Sequence, residues 1–185
     1  MHDARGPVRY LRRMVDPEIR RLESADAARF QSLRLRGLRE APTAFGSSYE
    51  EECDRPVAEV AERMARNTGG FILGAFDGDT LIGTVGMQRE APLKRRHKMV
   101  LWGMYVLPEA RRGGAGRRLV DEALRQGFAV TGIRQVLLGV NAANTPALAL
   151  YAAAGFTPFG LERGCMIVDG VLQDEVHMVC VRPGS

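Results

Sequence analysis

The chain has 185 residues, enough for one domain with a full core and too few to expect two. Its 45% hydrophobic and 26% charged residues exclude a disordered chain, and no apolar run approaches the roughly 18 residues of a membrane span, so a soluble protein is expected. A net charge of +4 is too small to point at nucleic acid. Cys53, Cys165 and Cys180 are far apart and lack metal-ligand spacing, which argues against zinc and fits a reducing cytoplasm.

Residues 1–13, MHDARGPVRYLRR, lack the apolar segment of a secretory signal and are expected to form a disordered tail before a domain spanning 14–185, with Met14 an alternative start. EIRRLES then suggests a first strand, and Asp26 is placed to cap a helix through AARFQSLRLRGLRE up to Pro42. In the turn-rich connection that follows, Ser47-x-x-Glu50 and Ser48-x-x-Glu51 both fit a capping box. PVAEVAERMAR predicts a second helix with Pro56 near its first turn. GFILGAF and TLIGTVGMQ flank Asp77-Gly-Asp, a hairpin signal.

Beyond the basic loop PLKRRHK, the apolar run MVLWGMYV predicts a buried strand ended by Pro108. The stretch ARRGGAGRRL comes next, with Gly113, Gly114 and Gly116 in a turn that opens a helix over LVDEALRQGF, ending near Thr131. RQVLLGVNA is a strand, TPALALYAAAG a helix, and FTPFGLERGCMIV and QDEVHMVCVR are strands joined by a turn at Asp169-Gly. The order β-α-α-β-β-β-α-β-α-β-β predicts one α/β domain, a mixed sheet with helices on both faces.

Main-chain N–H groups that begin a helix have no partner within it and lie at the positive end of its dipole, so they attract an anion. Glycine lets the backbone approach that anion closely, and a phosphate is the natural guest. Alone, the pattern also fits a plain turn. There is no GxxxxGK[ST], and no GxGxxG with an acidic residue about 20 positions on, so neither a P-loop nor a Rossmann site is indicated.

Arg111-x-x-Gly114-x-Gly116, shortly after Val106-x-Pro108, resembles motif A of the GCN5-related N-acetyltransferases (GNAT). The strand VLLGVN, then Asn144, Tyr151 and Gly155-Phe156, resembles motif B of that family. APTAFGSSYEEE near the front and the closing strands are similar to a branch of small bacterial members. The resemblance implies a single-domain GNAT-like fold with a mostly antiparallel sheet of about seven strands. It implies that the turn holds the pyrophosphate of acetyl-coenzyme A through amides from Arg112 to Arg117, which include Gly113, Gly114, Ala115 and Gly116. It further implies that the strand before the turn splays from its neighbour, freeing main-chain groups of Met104, Tyr105 and Val106 for the pantetheine arm and thioester. Gly103 suits a bulge there. In the same terms Asn144 contacts the cosubstrate and Tyr151 protonates the departing thiolate. A phenol holds its proton at neutral pH, its ordinary pKa being about 10.

Many members carry a glutamate on the strand before the glycine turn, and none stands between Met99 and Pro108. Candidates for a base are Glu175 and His177, which share a face of the last strand, Glu50 to Glu52, and His97; water-mediated proton loss needs none of them. The acceptor is expected between residues 41–56 and 158–172, where Glu50, Glu51 and Glu52 would draw a cationic amine or Arg163 an acidic substrate. The leading expectation is a cytoplasmic acetyltransferase moving acetyl from acetyl-coenzyme A to a primary amine of a small molecule or peptide. It uses no metal, binds neither nucleic acid nor membrane, and is compatible with a homodimer. A noncatalytic acyl-coenzyme A sensor is the alternative.

Overall fold

The computed structural model describes residues 16–182 and residue 184, so the tail expected over 1–13 and the question of Met14 lie outside the described residues. The chain forms β1 (Glu18–Arg21), α1 (Ala27–Glu40), α2 (Val57–Arg66), β2 (Gly70–Asp77), β3 (Thr80–Arg89), β4 (Lys98–Val106), α3 (Ala115–Ala129), β5 (Gln135–Asn141), α4 (Thr145–Ala153), β6 (Thr157–Val168) and β7 (Val171–Val181). The order of elements is the one anticipated from periodicity and turns. The seven strands make one sheet, β1-β2-β3-β4-β5-β7-β6, in which β4 and β5 run parallel and every other pair antiparallel.

Helices cover both faces, which is why β2 and β3 are buried almost end to end instead of alternating. On one face α3 buries Ala115, Leu119, Val120, Ala123 and Leu124, a stripe at spacings of three and four, against Leu73, Val85, Met87, Met99 and Val136. On the other, α1 buries Ala27, Phe30, Leu33, Gly37 and Leu38 against Ile72, Phe76, Leu81 and Tyr105. Two hairpin turns follow their residue types. Gly78 takes φ 57°, and Asp169 and Gly170 take φ 51° and 78°, the pair of left-handed residues that a tight primed turn needs. Among the described residues no helix is long and apolar enough to cross a membrane.

Three local expectations need correction. Asp26 occupies the position before α1, but its carboxylate does not cap the helix. It receives the Arg20 guanidinium at 2.7 and 2.8 Å and the Glu23 N–H at 3.0 Å, because a charged fork outcompetes a single amide. Of the two capping boxes only Ser48–Glu51 forms, and it closes a turn rather than a helix; the Ser47 hydroxyl instead accepts from Arg34 at 3.3 Å. Finally, α3 begins at Ala115, so Gly116 lies inside its first turn and only Gly113 and Gly114 precede it.

Candidate active site

The parallel pairing of β4 and β5 is short. It runs through Lys98↔Gln135, Met99↔Val136 and Val100↔Leu137 and then stops, so the two strands part along the second half of β4. Gly103 sits in that half at φ 61°, and the β3–β4 register shifts between Thr84 and Gly86, which marks a bulge. A bulged strand bends and twists more than its neighbour, which accounts for the parting. Met104, Tyr105 and Val106 all lie on the parted segment. Their main-chain groups are not equally free, however: the Val106 carbonyl accepts from Arg111 Nε at 3.0 Å. The Arg111 guanidinium is folded back onto the strand, 5.8 Å from the Tyr105 ring centroid.

Past the end of β4 the chain turns through Arg112 at φ 66° and Gly114 at φ 83° into α3. No side chain caps this helix, and its first main-chain bond is Arg118 N–H to the Gly114 carbonyl at 3.0 Å. The amides of Gly114, Ala115, Gly116 and Arg117 therefore have no acceptor among the described residues, at the positive end of a 15-residue helix. A Cβ on Gly114 would meet nothing within 4 Å, so the space over the turn is open. The arginines divide. Arg117 is held by Asp121 at 2.8 Å and Arg118 by Asp16, whereas Arg112 is exposed with no partner among the described residues. Four donors and one uncompensated cation facing open space suit a phosphate or diphosphate.

Helix α4 stands beside this turn: Met104 Cε and Leu150 Cδ2 lie 3.4 and 3.6 Å from where a Gly116 Cβ would be. Asn144 caps α4, its side-chain oxygen accepting from Ala147 N–H at 3.2 Å, and that oxygen is thereby committed to the helix. Tyr151, one residue after Leu150, is 6% exposed and meets Phe156 edge-on with ring centroids 5.8 Å apart. Its hydroxyl has no hydrogen-bond partner among the described residues, and burial pushes its pKa up to about 12. The group stays protonated throughout the neutral range.

The opposite face is polar. Arg34 grips Glu52 through Nε and Nη2 at 2.8 and 2.7 Å, and its Nη1 lies 3.4 Å from the Cβ position of Gly103. Beside this pair a cavity of about 550 Å³ opens between α1, α2 and the sheet, with Phe30, Val60, Ile72 and Trp102 as apolar lining and Gln31, Gln88 and Arg63 as polar lining. Glu50 is exposed on its turn, and Glu51 is spent on the Ser48 amide. On β7, Glu175 and His177 do share a face, and β6 adds Glu162: His177 Nε2 is 2.9 Å from Glu162 Oε2, and Nδ1 is 3.7 Å from Glu175 Oε1. Arg34, Trp102, Gly139 and Glu162 were not singled out by sequence. Glu162 is legible only once β6 is laid on β7 with Glu162 opposite Glu175.

The family model described as Acetyltransferase (GNAT) family matches residues 35–156. A mycothiol acetyltransferase of Geodermatophilus obscurus is 36% identical over 126 residues, 65% of this chain and 40% of that protein, so the chain spans about two fifths of the length of the curated relative it matches. Among solved structures, a GNAT-family acetyltransferase of Streptococcus pneumoniae superposes with a TM-score of 0.78 at 23% identity, over 90% of this chain and 100% of that one. A phosphinothricin acetyltransferase of Sinorhizobium meliloti, solved with AcCoA, gives 0.78 at 22% identity over 89% and 88%. A ribosomal-protein-alanine N-acetyltransferase of Brucella melitensis gives 0.75 at 21% over 89% and 99%. At such identities the structures speak to the fold, and the family model speaks to descent. With parted parallel strands, an uncapped glycine turn and a match over most of the domain, this chain belongs to the acetyltransferase (GNAT) family.

Proposed function

We propose that this protein is a cytoplasmic N-acetyltransferase that moves acetyl from acetyl-coenzyme A to a primary amine of a small molecule or peptide by direct attack. The observation that carries the reading is the row of acceptorless amides from Gly114 to Arg117, opening α3 where β4 has parted from β5. Acetyl-coenzyme A supplies the acetyl group as a thioester, and the residues present fit it. The amides of residues 112–117 with the Arg112 guanidinium would bind its diphosphate. Main-chain groups of Met104 and Tyr105 on the parted strand would hold the pantetheine arm and orient the carbonyl; the Asn144 amide nitrogen, unused by the cap, adds a donor nearby. An N–H aimed at that carbonyl stabilises the developing oxyanion by about 3 kcal/mol. Tyr151 delivers its proton to the leaving sulfur. Three free cysteines support the reducing compartment.

The body of the acceptor enters through the cavity between α1 and α2, since Arg34 lines both that cavity and the bulge at Gly103. The test is thiol release from acetyl-coenzyme A with a panel of amino acids, polyamines, phosphinothricin and peptides beginning with alanine, alongside calorimetry of acetyl-coenzyme A. Uptake of the thioester followed by amine-dependent thiol release is the expected result. Tight uptake with no acceptor turned over would make the chain a sensor, and no uptake at all would end both readings.

A further inference from the structure

No acidic side chain stands on β4 to take the proton that the amine must lose. The other candidates are engaged or misplaced. Glu52 is gripped by Arg34, Glu51 by the Ser48 amide, and His97 precedes β4 at the end where it is still paired with β5, its carbonyl accepting from Arg134. Glu175 differs. It lies on β7 on the face away from α3, opposite Asn141 of β5 and Glu162 of β6. Its carboxylate lies directly over Gly139 of β5, where a Cβ would stand 2.1 Å from Oε1. Gly139 comes two residues after Leu137, the last residue of β5 paired with β4, so the carboxylate crosses β5 toward the gap between the parted strands. An acid at this place needs glycine beneath it, since any larger residue would fill the space it occupies.

We propose that Glu175 is the proton acceptor for the incoming amine and the group that draws in its ammonium form, with His177 and Glu162 forming the exit for the proton. The inference rests on the acetyltransferase reading above. Glu175 first takes a proton from the bound ammonium and passes it on, the freed nitrogen lone pair forms the new C–N bond, the C–S bond breaks with its electron pair on sulfur, Tyr151 protonates that sulfur, and the second N–H proton leaves by way of Glu175 to water, from which Tyr151 regains its own. His177 Nδ1 lies 3.7 Å from Glu175 Oε1, a gap that a small side-chain rotation closes for proton transfer, and His177 Nε2 passes the proton at 2.9 Å to Glu162, whose side chain is 57% exposed to water. Proton removal and proton delivery thus sit on opposite faces of the sheet, and the gap between β4 and β5 is their common ground. The titratable groups around Glu175 are Glu162, His177, Cys165 and Asp174; burial and then the three carboxylates push the Cys165 thiol up, and Asp174 is fixed by the Gly164 amide at 2.9 Å. Arg34, the cation beside Gly103 on the parted strand, is already matched by Glu52.

Two variants test the assignment. Glu175→Gln keeps the shape and removes the base, and Gly139→Ala keeps the base but pushes its carboxylate aside, an inexpensive shift because only the free end of a side chain must move. With the fastest amine of the panel, kcat/KM at pH 7 should fall about 10²-fold in Glu175→Gln and recover as rising pH supplies neutral amine. Gly139→Ala should show a smaller loss of the same form. Without acetyl-coenzyme A, calorimetric affinity for the same protonated amine should fall about tenfold in both, as loss of a charge-assisted contact requires. Acetyl-coenzyme A affinity and the thermal midpoint should stay at wild-type values. The slow hydrolysis of bound acetyl-coenzyme A, which needs no amine, should fall with the amine rate. Wild-type rates and amine affinity in Glu175→Gln would overturn the proposal and leave the acetyltransferase reading standing, whereas a wild-type protein that takes up no acetyl-coenzyme A would remove that reading and this one together.

Discussion

The face of the sheet under α3 and α4 and the face under α1 and α2 are built from different material. The first is an aliphatic interior in which Leu73, Val85, Leu119, Val120 and Val136 have no exposure, and Tyr151 brings the only buried hydroxyl of that cluster. The second holds the Arg34–Glu52 and Arg20–Asp26 pairs, a Tyr105 hydroxyl bonded to Glu40 at 2.6 Å, and the cavity of about 550 Å³. In both cases burial sets the chemistry. Burial pushes the Tyr151 phenol up to about 12 on the dry face, and burial together with the Glu40 hydrogen bond does the same for Tyr105 on the other, which differs in being polar and partly open. In the proposed function, one face fixes the thioester end and the other is free to differ in what it admits.

The sharpest way to break this contrast is to cut both faces alike. Leu119→Ala should cost about 3–5 kcal/mol by denaturant unfolding, because nothing around it can collapse inward. Val60→Ala, at the wall of the cavity, should cost about 1 kcal/mol or less, its surroundings being open already. Equal losses would mean that the two faces are packed alike. Next in size is Tyr151→Phe, which should lower turnover about 10²-fold, near 3 kcal/mol, with acetyl-coenzyme A affinity unchanged. A variant that turns over at the wild-type rate removes the proton donor from the dry face.

On the polar face, Arg34→Ala should destabilise by about 2–3 kcal/mol, since both members of the pair are only 13% exposed and Glu52 would keep only the looser contact with Arg55 at 3.9 Å. Replacing both partners by Met and Leu should recover most of that loss if burial, and not the pair itself, is what holds the segment. The smallest expected effect is acid sensitivity at Asp26. Arg20 holds its carboxyl down from 3.8 to about 2, so the contribution is present above about pH 4 and disappears as pH falls through about 2. Because Arg20 is 38% exposed, the contribution is discounted to well under about 1 kcal/mol. The stability advantage of the wild type over Asp26→Asn should therefore vanish by pH 2, and an advantage persisting there would assign it to shape instead of charge.

The amino-acid sequence by itself determined the order of the elements, the two tight hairpin turns, the bulge-prone Gly103 and the glycine turn before α3, because each follows from local periodicity or from a residue's own backbone freedom. It also placed Glu175 and His177 on one face, since alternation along a strand is local. Only the tertiary structure decided that Asp26 serves Arg20 instead of its own helix, that Arg111 is folded onto Val106, that Glu162 completes the His177 cluster and that Gly139 lies beneath Glu175. Those four facts are contacts between side chains and partners whose positions are fixed by strand register or by competition among several hydrogen-bonding groups. A pattern along one chain says which way a residue points, whereas the residue it meets depends on how distant segments are laid side by side.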